Sequence, residues 1–132
     1  MTPAQIVAKS NTEHSHQVAF FVWCSQQKVD ERLKMTFAIP NGGLRDKVTA
    51  SRMKAEGVRK GVPDVMIPIP IGNYHGLFIE FKVEKGKLSA EQVVWQSYLQ
   101  SQGYAHFVAY GYLSAMDATL QYLLKYPVPE RK

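Results

Sequence analysis

Cysteine is nearly absent from this 132-residue chain: Cys24 is the only one. No internal disulfide can form, and the apolar setting `FFVWC` predicts a buried, inert thiol rather than a nucleophile. Long hydrophobic runs are missing too. No stretch approaches the roughly 20 apolar residues of a membrane span, so no membrane partner is expected. The start, `MTPAQIVAKS`, lacks the basic segment and apolar stretch of a secretory signal, which makes the cytoplasm the expected location. Internal repeats and low-complexity linkers are also lacking. Acidic residues are few, 11 Asp and Glu against 16 Lys and Arg, leaving a net charge of +5. That balance favours an acidic partner, with nucleic acid as the leading candidate.

The residues present suit a soluble globular chain, with 45% apolar and 20% charged residues. Residues 1–132 are expected to form a single domain burying about two thirds of its unfolded surface, with 127–132 as a loose tail. Helical periodicity spans about Thr12 to Asp30, with Val18, Phe21, Val22 and Ser25 on one side. A short strand from Met35 to Ile39 stops at `PNGG`, and a basic helix from Asp46 to Glu56 closes at Gly57. Val65 to Ile69 and Leu77 to Val83 read as an antiparallel hairpin around `PIGNYHG`. Ser89 with Gln92 forms a capping box opening a helix whose inward stripe is Val94, Trp95, Tyr98 and Leu99. The strand after it, Tyr104 to Tyr110, should run parallel to Leu77–Val83 through a right-handed crossover. A last helix, capped by Ser114 with Asp117, turns Met116, Leu120, Leu123 and Leu124 inward and stops at Pro127. The fold class is therefore α/β, a mixed sheet flanked by helices.

Charge sits where apolar residues dominate. In `GVPDVMIPIPIGNYHGLFIEFK`, Asp64 opens one strand while Glu80 and Lys82 share a face of the next. Buried charge is unfavourable unless paired or bound to metal. The hairpin brings Asp64 towards Glu80 and Lys82, and two carboxylates suit a hard cation such as Mg²⁺ or Mn²⁺. A cation there lowers the pKa of bound water and polarises a phosphoryl oxygen, as phosphodiester hydrolysis requires. Lys82 would orient or deprotonate that water, or stabilise developing negative charge. Plainer readings exist: Asp64 as a turn residue after Pro63, Glu80 with Lys82 as an exposed ion pair, Gln92 as a helix cap alone. The buried character of `GLFI` and `FKV` favours the site.

The set `GVPD` at 61–64, `IEFK` at 79–82 and `LSAEQ` at 88–92, with `IPNGG` at 39–43 and `EG` at 56–57, resembles the VRR-NUC branch of the PD-(D/E)xK nucleases. In pattern it is similar to the short, stand-alone members from phages and prophages, and the likeness covers most of the chain from about Glu13. The resemblance implies a restriction-endonuclease-like core in which Asp64, Glu80 and the carbonyl of Phe81 hold the metal and Lys82 is essential. It assigns Glu13, matching an acidic position on the first helix, to the metal-holding and catalytic set as well, and Gln92, the glutamine after `ExK`, to the catalytic set. It further implies a homodimer cutting DNA, including four-way junctions, in a bacterial or phage-infected cell. The segment `EHSHQ` at 13–17 is less acidic than in related sequences, and His14 and His16, two apart, point away from one another on a helix.

Between positions 45 and 60 lie Arg45, Lys47, Arg52, Lys54, Arg59 and Lys60, against only two acidic residues, Asp46 and Glu56. This basic stretch would contact DNA phosphates, or else be a solvated helical face. The rival functions are a non-catalytic nucleic-acid-binding module on the same fold and a nuclease acting on RNA.

Overall fold

The computed structural model describes residues 1–40 and 46–124. In chain order the elements are α1 (Pro3–Lys9), α2 (Glu13–Gln26), a 3-10 turn (Glu31–Met35), β1 (Phe37–Ala38), α3 (Lys47–Ala55), β2 (Val65–Ile67), β3 (Leu77–Lys82), α4 (Ala90–Ser101), β4 (Ala105–Tyr110) and α5 (Tyr112–Leu123). The strands form one sheet in the order β1-β2-β3-β4. β1 and β2 are antiparallel, as are β2 and β3, whereas β3 and β4 run parallel. A helix-length crossover between β3 and β4 imposes that parallel pairing.

Strand alternation gives the sheet two unlike faces. Val65, Ile67, Leu77, Ile79, Phe81, Ala105 and Ala109 point to one side and are buried, joined there by Phe20 and Cys24 of α2 and Ala115 and Tyr122 of α5. Each large aliphatic or aromatic side chain so removed from water contributes roughly 1.5–3 kcal/mol before entropy is counted. Burial pushes the Cys24 thiol up to about 12, so it is inert at neutral pH. The other face carries Glu80 and Lys82 on β3, beside Val108 and Tyr110 on β4, and α4 packs over it. Polar contacts from Gln92 to Glu80 and from Gln96 to His106 fix that helix over the sheet.

The mixed sheet, the hairpin, the parallel crossover and the Ser89–Gln92 capping box agree with the sequence reading. Several details differ. α1 was not anticipated, although Thr2 and Gln5 form a capping box with Pro3 in the first turn. The first long helix ends at Gln26, and Glu31–Met35 is a 3-10 turn, which leaves β1 only two residues. α2 turns Ser15, Ala19, Phe20 and Cys24 inward, while Val18 is exposed and Phe21 and Val22 line an open groove with Ala38. Large apolar residues occur all around this helix, so periodicity does not set its rotation.

On α4 only Leu99 is buried; Val94 and Tyr98, expected inside, are exposed. α5 begins after Gly111, so Ser114 and Asp117 lie within it and do not cap it. Its buried residues are Ala115, Ala118, Thr119 and Tyr122, with Leu124 exposed. Small side chains let this helix approach the sheet closely, and the Tyr122 hydroxyl donates to the Ile69 carbonyl at 2.6 Å. The `NGG` turn, Arg45, Pro127 and the tail at 127–132 fall outside the described residues.

Candidate active site

The register of the hairpin assembles the site. Val65 pairs with Ile79, and one step further along antiparallel strands sets Asp64 beside Glu80 on the α4 side of the sheet. Asp64 Oδ2 accepts the backbone N–H of Phe81 at 2.7 Å, which fixes the carboxylate across the strand pair. Its own carbonyl accepts from Ile39 N at 2.8 Å and ties β1 to the same point. Lys82 lies two residues beyond Glu80 and shares its face. Phe81, between them, sends its ring the opposite way into the core against Phe20, at 5.8 Å between centroids.

Glu80 is only 2% exposed. Burial, then the charge of Asp64 and a hydrogen bond with it, push its carboxyl up to about 9; Lys82 pulls down and Glu13 adds a further push upward. As two carboxylates neither residue can donate, and Oε1 of Glu80 is then buried without a partner. A proton on Glu80 allows the bond to Asp64. A hard cation between the oxygens would satisfy the same need without a proton, so these donors fit a divalent metal.

Gln92 serves two purposes. Its Oε1 accepts from Ser89 N at 2.8 Å, closing the capping box, and its Nε2 donates to Glu80 Oε2 at 3.2 Å. The helix start is thus fastened to the buried acid. Glu13, exposed at the first turn of α2, acts on Glu80 through its charge. Among the described residues no group of three His, Cys, Asp or Glu side chains gathers, so the structure brings Asp64 and Glu80 together and does not bring Glu13 into the same cluster.

Two contributors escaped the sequence reading. Gly61 has φ +93°, and a Cβ there would lie 2.7 Å from the backbone carbon of Glu91. Only glycine permits the `GVPD` turn to press so closely on the first turn of α4, where Lys60 also lies 3.6 Å from Glu91. A glycine before Pro-Asp is the one available hint. His16 accepts from Tyr112 N at 2.9 Å through Nδ1, while its Nε2 faces Asn11 Oδ1 at 2.6 Å. It caps α5, whose preceding Gly111 has no side chain to do so. His14 lines the open groove along α2.

The basic residues are placed differently. Lys47, Arg52 and Lys54 are exposed on α3, which buries none of its residues, and Arg59 and Lys60 are exposed on the segment leading to Gly61. Met53 and Val58 line a recess there with Lys54, Arg59 and Lys60. No helix among the described residues is long and apolar enough to cross a membrane.

The VRR-NUC domain profile matches residues 3–113. A solved structure described as a VRR_NUC domain protein is similar over 86% of this chain and 88% of its own, with a TM-score of 0.73 and 28% identity. No curated protein matches. The extent of the match, joined to the Asp64, Glu80 and Lys82 arrangement, establishes that the chain belongs to the VRR-NUC domain family, whose nuclease-type domains connect it with nucleic acid.

Proposed function

We propose that the protein is a divalent-metal-dependent, structure-specific DNA endonuclease that hydrolyses phosphodiester bonds and works as a homodimer on branched DNA, four-way junctions included. The observation that carries this reading is the buried Glu80 set against Asp64, with Lys82 and Gln92 converging on the same point. Asp64, Glu80 and the carbonyl of Phe81, whose N–H already faces Asp64, would hold Mg²⁺ or Mn²⁺, with Glu13 adding negative charge at the margin. When bound, the cation lowers the pKa of a coordinated water and offsets charge on the phosphoryl oxygens. Gln92 keeps Glu80 oriented, and Lys82 presents an ammonium or amine where negative charge develops. The exposed residues Lys47, Arg52, Lys54, Arg59 and Lys60, with Arg45 from the sequence, would hold phosphates beyond the cut. A branched substrate presents two strands to be cut, which two copies of a chain with one such site can serve.

Incubation of the purified chain with labelled linear, nicked and four-way DNA, and with RNA, in Mg²⁺, Mn²⁺ or EDTA tests the reading directly. Cleavage of branched DNA is expected with either metal and none in EDTA. Asp64→Ala and Lys82→Ala should each lower the rate by at least about a hundredfold while leaving the melting temperature near that of the parent. Full activity in both variants rejects the site. Binding without cleavage in every metal would identify a non-catalytic module, and a monomeric mass by light scattering would remove the dimer.

A further inference from the structure

Lys82 is the last residue of β3, at the point where the strand gives way to a turn. Its register partner on the parallel strand is Tyr110, so the two side chains leave the sheet on the same face. Tyr110 is 54% exposed, yet its hydroxyl donates to the carbonyl of Gly86 at 2.8 Å, 24 residues away in sequence. Gly86 closes the tight turn that follows Lys82: its N–H donates to Val83 O at 2.9 Å. Lys85, the third residue of that turn, has φ +55°. A positive φ at this position ordinarily selects glycine or asparagine, so the turn needs something outside itself to keep its shape.

The turn also meets the Lys82 stem. A Cβ built on Gly86 would lie 2.9 Å from the Val83 carbonyl oxygen of the same turn, so the turn itself would have to shift, and 3.4 Å from both Cβ and Cδ of Lys82. The open side of Gly86 therefore faces the lysine stem as a wall one methyl group away, and the Tyr110 hydroxyl fastens that wall to β4. Beyond the wall, the chain runs through Leu88 to Ser89 and Gln92, which reaches Glu80.

We propose that Tyr110 is a positioning residue for Lys82: by pinning the Gly86 carbonyl it holds the Val83–Gly86 turn against the lysine stem and aims the amine at the Asp64 and Glu80 carboxylates. The inference rests on the nuclease reading of that site. A flexible four-carbon side chain has many rotamers, and restricting them is worth rate rather than affinity when the group acts at the reacting centre.

The test is Tyr110→Phe, which removes one hydroxyl from an exposed ring, with Gly86→Ala as an independent way of disturbing the same wall. On branched DNA with Mg²⁺, each variant should lower kcat by about three- to thirtyfold with KM for DNA within about twofold of the parent. Carbon-13 relaxation at Cε of Lys82, assigned by its loss in Lys82→Ala, should show a more mobile side chain in both variants of the metal-free protein. An unchanged kcat overturns the proposal. So does a raised KM at constant kcat, which would make Tyr110 a DNA contact, and so does a lowered kcat with unaltered Lys82 relaxation. Should the parent protein cut nothing, the nuclease reading falls separately, and the relaxation measurement still decides whether the turn restrains Lys82.

Discussion

The α4 side of the sheet and helix α3 are built in opposite ways. Around Glu80, carboxylate, amide and backbone groups from the residue before β2, from β3 and from α4 fix one another, and a glycine is needed to let two segments touch. α3 buries no residue and relies on its own ends, where Asp46 accepts from Thr49 N at 2.8 Å and Glu56 N donates to Arg52 O at 3.0 Å. Chemistry at a reacting centre requires placement to within a fraction of an ångström. Phosphate contacts act through charge over a Debye length of about 8 Å and tolerate a looser support.

Two glycines with similar positive φ separate these regimes most sharply. Gly61 and Gly57 have φ +93° and +100°, but a Cβ at Gly61 collides with Glu91 and one at Gly57 meets nothing. Gly61→Ala should lower stability by roughly 2–4 kcal/mol, combining backbone strain with overpacking, and slow cleavage at least about tenfold. Gly57→Ala should cost about 1–2 kcal/mol of strain and leave cleavage unchanged. Chemical denaturation and single-turnover rates on the pair check this; equal rates in the two variants would dissolve the distinction.

A smaller effect concerns acid stability. His106 is buried beneath α4, with Gln96 3.4 Å from its Nδ1, and burial lowers its pKa from 6.5 to about 4. Between those values the unfolded chain binds a proton that the folded chain refuses. This contribution is therefore fully present above about pH 6.5 and is lost as pH falls towards 4, amounting to roughly 1–3 kcal/mol. His106→Gln should flatten that part of the pH–stability curve, as read by urea midpoints at pH 7 and 4.5. The same slope in both proteins would acquit His106.

Smallest is the effect expected on folding from α3. Arg52→Ala with Lys54→Ala should change stability by less than about 0.5 kcal/mol. The slope of log affinity against log salt for duplex DNA should become shallower by roughly 0.9 for each phosphate that the variant no longer neutralises. An unaltered slope takes the helix off the DNA path.

The same contrast explains what was legible in the sequence. Asp64, Glu80 and Lys82 announce themselves because charge within apolar strands demands a reason, and the crossover is legible because a capped helix lies between two strands. The Ser89–Gln92 box was readable for its local spacing, and its second partner, Glu80, is consistent with that spacing without being contained in it. Helix rotation was not readable. In α2, Val18, Phe21 and Val22 are as apolar as Ala19, Phe20 and Cys24, so only tertiary packing chooses between them. In α5 full burial fell on Ala115, Ala118, Thr119 and Tyr122, with Met116 and Leu123 packed against the core only in part. Gly61 and His16 depend on contacts with residues 30 and 96 positions away, Glu91 and Tyr112. No local pattern encodes such distances.

The imidazole of His16 carries one more implication. It sits one turn along the same helix as Glu13 and receives the amide of Tyr112, so the acid supplied by the opening of the chain is indexed to a junction near its close. A nascent polypeptide could already pair β2 with β3 and bring Asp64, Glu80 and Lys82 together. Glu13 lies on the helix that the His16 contact ties to the start of α5, so on the proposed reading the negative margin of the site is set in part by the docking of β4 and α5.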